Sequence, residues 1–270
     1  MHRRSVSPDA SGVVKVWLTF NEPYTFCNSG YGAGGHAPGR CSDRRKCAAG
    51  DSSTEPYICT HNVLRSHALA VEIYKTRYAA QRGEIGLVIN SGYGIPATES
   101  PEDCAAAARY MAFQVGWYGD PLYYGDYPAE MRAAVGSRLP QFTAAERARL
   151  LANPPDFYAM NHYSSKFVRS CIGEPGCVPG AGLGKDMQIK QSAVSPDGTS
   201  VGAAAASAWL RSVPEGIRHN LVYVARRYAD ARPEFAGRGP AIYITENGCD
   251  VPGETELPLA LALDDEFRVM

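Results

Sequence analysis

The sequence predicts an α/β fold in which buried parallel strands alternate with helices and bring their carboxyl ends round one site. Three observations predict it. Val13–Phe20 reads Val-Val-Lys-Val-Trp-Leu-Thr-Phe, apolar and β-branched on both faces, and runs straight into Asn21-Glu22-Pro23. Strands of that type belong to parallel sheets covered by helices. Ala241–Ile244 is a second short apolar strand, ending in Thr245-Glu246-Asn247-Gly248. Between them lie two more buried-type strands, each separated from the next by helical periodicity, which is the pattern of successive strand-helix units in one domain.

Ligands of parallel sheets and barrels bind at the carboxyl ends of the strands. Glu22 and Glu246 both sit there, and being far apart in the chain they meet only if the fold brings those ends round one centre, as a barrel does. Two facing carboxylates are the apparatus of glycoside hydrolysis, one as proton donor and one as nucleophile or base. One such glutamate alone would read as a turn cap or a surface ion pair; two in these contexts do not.

Taken in order, residues 1–12 show no hydrophobic period and contain Pro8 and Gly12, so they read as an irregular lead. After Glu22 comes a glycine-rich loop, Gly30–His36, which matches neither phosphate-binding pattern and reads as a wall on the leaving-group side. Val63, Leu64, Ala68, Val71, Tyr74 and Tyr78 carry a helical period over Thr60–Gln81, with Gly83 as its stop. His61, Asn62 and His67 on that helix read as completing core hydrogen bonds rather than as ligands. Glu84–Asn90 is the next strand. Ser100 caps a helix whose first residue is Pro101 and which runs to about Val115. The aromatic stretch Trp117–Pro128 reads as packing for that helix end rather than as a sugar platform. Thr143-Ala144-Ala145-Glu146 is a capping box for a helix to about Leu151. Asp156–Asn161 is the third strand, with Asn161 and Tyr163 at its carboxyl end. Residues 164–208, rich in Gly, Pro and Ser, read as one long connection, and Ser212–Glu215 opens a helix through Ala231.

Composition narrows the partners. At 45% hydrophobic and 20% charged, the 270 residues suit one large globular domain. A net charge of −1 makes no electrostatic case for nucleic acid or for acidic membranes, and no run is long and apolar enough for a membrane span. The opening Met1-His2-Arg3-Arg4-Ser5 has no apolar stretch behind it and does not read as a secretory signal. The expected partner is a small neutral molecule. Of eight cysteines, none forms Cys-x-x-Cys, and the six histidines are not at ligand spacings, so no metal is expected. Two cysteine pairs share a spacing of six, Cys41 with Cys47 in a polar loop and Cys171 with Cys177 in a Gly/Pro-rich one. Cys27, Cys59, Cys104 and Cys249 read as buried small hydrophobes.

Thr19-Phe20-Asn21-Glu22-Pro23 and Ile244-Thr245-Glu246-Asn247-Gly248 resemble the acid/base and nucleophile motifs of family 1 of the glycoside hydrolases, the β-glucosidase family. Ala37-Pro38-Gly39-Arg40-Cys41-Ser42, Thr54-Glu55-Pro56-Tyr57-Ile58 and His61-Asn62 resemble the segment that follows the acid/base strand in plant, fungal and algal members. Asn161-His162-Tyr163 resembles the Asn-Tyr-Tyr of the family's sixth strand.

The resemblance implies a partial (β/α)8 TIM barrel, strands four to seven, with long loops on the active-site face. Residues 13–270 would then be an incomplete barrel domain, since family barrels generally exceed about 400 residues. It also implies retaining hydrolysis of O-linked β-glucosides with no cofactor. Glu22 would be the acid/base, Glu246 the nucleophile, Asn21 the partner of the sugar 2-hydroxyl, Tyr163 the residue orienting Glu246, and Asn161 part of the pocket. Glutamate at position 22 matches O-glycosidases, whereas plant thioglucosidases lack that acid. Plant-type members suggest a disulfide loop between Cys41 and Cys47, with Cys171 and Cys177 the matching candidate pair, and this points to a secretory or vacuolar parent. The family's glutamine after the first strand, histidine after the third, and Trp and Glu segment round the eighth have no counterpart here. The resemblance therefore implies weak or no activity of this chain alone, and the alternatives are a non-catalytic sugar-binding protein and an inactive truncated fragment of such an enzyme. Unpaired strand edges at Val13 and Ala241 are expected to favour self-association.

Overall fold

The computed structural model describes residues 13–178 and 180–269, so the irregular lead read for residues 1–12 lies outside the described residues. In chain order the elements are β1 (Val16–Asn21), α1 (Pro23–Tyr31), α2 (Glu55–Arg77), β2 (Glu84–Asn90), β3 (Tyr93–Pro96), α3 (Pro101–Met111), α4 (Trp117–Tyr124), α5 (Ala129–Val135), α6 (Ala144–Ala152), β4 (Tyr158–Asn161), β5 (Ser165–Ser170), α7 (Leu183–Met187), β6 (Ile189–Ser192), β7 (Ala203–Ala204), β8 (Arg211–Ser212), α8 (Pro214–Arg227) and β9 (Ile242–Glu246). The four expected strands form one parallel sheet in the order β1-β2-β4-β9. Sequence order and sheet order agree along it, as in a stretch of a (β/α)8 barrel.

The middle strands carry the core. Leu87, Val88 and Ile89 of β2 and Tyr158, Ala159 and Met160 of β4 are buried, and Gly86 leaves room for Phe157, whose ring would lie 2.7 Å from a Cβ at that position. The outer strands differ from the sequence reading, which took β1 as buried on both faces. Val16 is 46% and Leu18 43% exposed on β1, and Ile244 is 49% exposed on β9. Each outer strand has a single neighbour among the described residues, and its apolar side chains lack the cover that a further strand-helix unit would supply.

Local signals placed the helices well where a cap was present. Ser100 Oγ accepts the Asp103 N–H with Pro101 at the first position of α3, and Thr143 and Glu146 form the capping box of α6. Helical geometry does not stop at Val115, however. It passes through a π-helical stretch, Ala112–Gly116, into α4, because Trp117, Tyr118 and Tyr123 are drawn into the main core. That matches the packing role expected for the aromatic stretch. Helix α2 starts at Glu55, ahead of the expected Thr60, with Pro56 in its first turn.

Three further readings are corrected. The chain turns helical at Pro23, so Gly30 and Tyr31 end a helix rather than open a loop. The long connection 164–208 contains β5 and β6, which join β3 in a second sheet of order β3-β5-β6. Cys27 and Cys59 are bonded to each other, tying α1 to α2, while Cys104 is exposed and Cys249 half-buried. A separation of 32 residues leaves no local spacing to read, and only the packing of the two helices brings the thiols together. The Cys41–Cys47 and Cys171–Cys177 bonds are both present.

His61 and His67 have structural partners. His61 Nδ1 lies 3.0 Å from Tyr127 Oη and its ring stacks on Phe142. His67, fully buried, places Nδ1 2.8 Å from Thr19 Oγ1, whose own proton goes to Gly86 O at 3.2 Å. Burial, helped by the nearby Lys75 charge, lowers the His67 pKa from 6.5 to about 3. The unfolded chain therefore binds a proton that the folded chain refuses between those values. Stability is expected to fall as pH drops from 6.5 towards 3, by up to about 1.4 kcal/mol per pH unit from this residue. Urea midpoints measured across that range should show a steeper acid limb for the wild type than for His67→Gln; equal limbs would refute the assignment.

Candidate active site

Every strand of the parallel sheet ends in a polar residue on the same side: Asn21 on β1, Asn90 on β2, Asn161 on β4 and Glu246 on β9. Asn90 pairs with Asn161 and Asn161 with Glu246 across the register. Two irregularities fall just before this row, one between Leu18 and Asn21 against β2 and one between Met160 and Asn161 against β9. A bulge re-aims the side chains that follow it, so both glutamate-bearing strands are bent where their carboxylates leave the sheet.

Glu22 is the pivot from β1 into α1. Its φ of 51° and ψ of 57° lie in the left-handed region, a conformation costing a branched or long side chain about 1–2 kcal/mol. The surroundings hold it there. Its N–H donates to Val88 O at 3.2 Å, Thr25 Oγ1 donates to Oε2 at 3.1 Å, and Asn161 Nδ2 donates to Oε1 at 2.9 Å. Thr25 in turn accepts from Asn90 Nδ2 at 2.9 Å.

Asn161, 1% exposed, uses its whole amide. Nδ2 also donates to Asn21 Oδ1 at 3.1 Å, and Oδ1 accepts from Thr245 Oγ1 at 2.6 Å. One side chain thus links Asn21 and Glu22 on one edge of the sheet to the residue before Glu246 on the other. Tyr163 Oη donates to Glu246 Oε2 at 2.7 Å. That hydrogen bond, then burial, then the charges of Glu246 and Glu22 push the Tyr163 pKa up to about 12, so the phenol keeps its proton and both carboxylates act on it.

Behind Tyr163, the buried His162 places Nδ1 2.9 Å from Ser91 O, and burial lowers its pKa. Its backbone N–H donates to Glu246 O at 3.0 Å and its carbonyl accepts from Asn247 Nδ2 at 2.6 Å. Sequence reasoning gave His162 no part. Strand β2 leads through Ser91-Gly92 into β3 and β4 through His162–Ser164 into β5, and β3 and β5 pair with each other in the second sheet.

A cavity of about 570 Å³ lies between the two sheets. Glu22, Asn161, Tyr163 and Glu246 line it together; Asn21 does not, and meets it through Asn161. Residues missed by sequence reasoning complete it. Asn90 could have been found by the same strand-end rule that found Asn161, and Thr25 by its place one turn after Glu22. Lys166 on β5 and Gln191 on β6 lay in the stretch read as one long connection, and Trp209 directly follows it. Trp209 is 57% exposed and meets Tyr163 edge to face, centroids 6.0 Å apart. Among the described residues no group of three or more His, Cys, Asp and Glu could hold a metal ion, and no helix is long and apolar enough to cross a membrane.

Comparison with known proteins places this geometry. The family model "Glycosyl hydrolase family 1" matches residues 8–270. Beta-glucosidase 11 of Oryza sativa subsp. japonica is 40% identical over 259 residues, 95% of this chain and 46% of that protein. A rice β-glucosidase crystal structure superposes with a TM-score of 0.85 at 39% identity, covering 95% of this chain and 52% of that one. A β-glucosidase from the fungus Humicola insolens, solved in complex with glucose, gives a TM-score of 0.83 at 38% identity over 94% of this chain and 50% of that one. The chain spans about half the length of the curated relatives it matches.

Asn161→Ala strips hydrogen bonds from Asn21, Glu22 and Thr245 at once. It is expected to cost about 2–3 kcal/mol of stability, the penalty for leaving buried polar groups unpaired. Denaturant titration reads this directly, and a change within error would show that the amide is not the link described.

Proposed function

The chain belongs to glycosyl hydrolase family 1, and from that membership we propose that its site hydrolyses the O-glycosidic bond of β-glucosides with retention of configuration. The observation that carries the proposal is the joining of two strand-end glutamates across one pocket, Glu22 through Asn161 and Thr25, Glu246 through Tyr163. In the first step the Glu246 carboxylate attacks the anomeric carbon while the Glu22 carboxyl gives its proton to the leaving oxygen, and the C–O bond breaks to leave a glycosyl ester. In the second, the Glu22 carboxylate takes a proton from water, the water oxygen attacks the same carbon, and the ester is released. Asn21 bonds the sugar 2-hydroxyl, an interaction that strengthens as the ring becomes oxocarbenium-like. Tyr163 holds Glu246 in line for attack, and Asn161 keeps Glu22 facing it. The substrate is a small β-glycoside, and the three disulfides support an oxidising, secreted or vacuolar, setting.

A second reading, glycoside binding without turnover, draws on the open edges of the sheet, since β1 and β9 each have one neighbour among the described residues. The same edges support self-association, because an exposed strand edge with apolar side chains is a template for another chain.

Hydrolysis of an aryl β-glucoside by the 270-residue chain separates the two readings. Turnover by the wild type and a loss of about a thousandfold or more in Glu246→Ala is expected of a nucleophile; equal inertness of two folded proteins would leave binding alone. Sedimentation of the chain is expected to show concentration-dependent association that Leu18→Lys weakens, and a wild-type chain that stays monomeric at the highest concentration reached would contradict it.

A further inference from the structure

Lys166 lines the cavity and Arg211 stands on the loop beside it, and among the described residues neither has an acidic ion-pair partner. Lys166 lines the cavity from β5, and its Nζ donates to the Trp209 carbonyl at 2.7 Å. Arg211 is fastened to the same loop, its backbone N–H donating to Ser164 Oγ at 3.1 Å and its guanidinium to Leu210 O at 2.7 Å and Ala208 O at 3.2 Å. Ser164 itself lines the cavity. These tethers are backbone carbonyls, which position a cation but do not cancel its charge. The neighbouring strand residues are treated otherwise. Arg169 on β5 and Lys190 on β6 both pair with Glu174. Burial and the Arg211 charge together lower the Lys166 pKa, as befits two like charges held near each other. The carboxylates lining the cavity are Glu22 and Glu246, both engaged by hydrogen bonds at its floor.

We infer that Lys166 in the cavity wall, with Arg211 beside it, selects glycosides whose aglycone carries an anionic group. Positive charge left uncompensated at the mouth of a partly desolvated pocket is arranged for a negative ligand, and the leaving group of a sugar bound between the two glutamates faces that mouth. This rests on the glucosidase reading for the placement of the sugar and adds the class of aglycone.

The test uses S-linked ligands, which resist hydrolysis and so report binding whether or not the chain turns over. Calorimetry would compare 4-carboxyphenyl β-thioglucoside with its neutral isostere, 4-carbamoylphenyl β-thioglucoside, on the 270-residue chain. The carboxylate is expected to bind about fivefold more tightly at low salt, the scale of a charge pair at a solvated rim, and to lose that advantage at high salt. Lys166→Gln should remove most of the preference, Arg211→Gln part of it, and Lys166→Arg should retain it. Parity at low salt, no binding of either ligand, or a preference unchanged in Lys166→Gln overturns the inference. A preserved charge preference in a chain that hydrolyses no O-glucoside would sink the glucosidase reading and spare this one; hydrolysis of a neutral aryl glucoside with no charge preference would do the reverse.

Discussion

Asn161 reaches across a gap that a flat sheet would leave open. It stands on β4 and its amide bonds Asn21 and Glu22 at the end of β1, with β2 lying between. Two strand spacings come to about 9.6 Å, and side chains that stand perpendicular to a flat sheet would not meet across that distance, so the contact goes with a sheet curled towards the side that Asn161 faces. Curl of that kind is what closing a parallel sheet into a barrel requires. Much else in the site depends on it. Thr245 reaches the same amide from β9, and the two bulges turn Glu22 and Glu246 out of the sheet onto the concave side.

A closed frame then holds Glu22 in its strained backbone conformation. Thr19 on β1 is bonded to His67 of α2; Cys59 of α2 is bonded to Cys27 of α1; and α1 begins directly after Glu22 and carries Thr25 back to its carboxylate. Each link fixes one element to the next, so the glutamate cannot relax without disturbing a helix. On the other side, His162 is fixed to Ser91 and Asn247 to His162, which ties together the connections that lead from the first sheet into the second. The pocket floor is therefore made by the parallel sheet and its wall by the extensions of the same strands. Further out, the Asp120–Arg227 pair joins α4 to α8 with bonds of 2.5 and 2.7 Å, a buried bridge whose value lies in leaving neither charge alone.

Much of this was legible in the residues. Hydrophobic runs located the four strands, and the rule that strands of parallel sheets deliver their last residues to a site picked out Glu22, Asn161 and Glu246. Capping chemistry placed α3 and α6 because the signal is local. What was missed depends on contacts between distant segments. The Cys27–Cys59 bond has no spacing to read, and β5 and β6 are short strands in a polar stretch whose pairing with β3 is set by contacts between distant segments. The exposure of β1 was missed because an apolar run shows what a strand can bury, while its neighbours decide what it does bury. Lys166 and Arg211 carried no motif; their meaning comes from what the fold places beside them and from the acids it does not.

The central claim is that the two glutamates act on one sugar, with Glu246 as nucleophile. It is tested most directly by exposing the folded chain to an activated 2-deoxy-2-fluoro-β-glucoside, whose glycosyl ester is hydrolysed slowly, and mapping the adduct by peptide mass spectrometry. One equivalent of fluoroglucosyl carried on Glu246 is the predicted result. A label on another residue, or no label on a chain shown to be folded and to bind the reagent, would contradict the account.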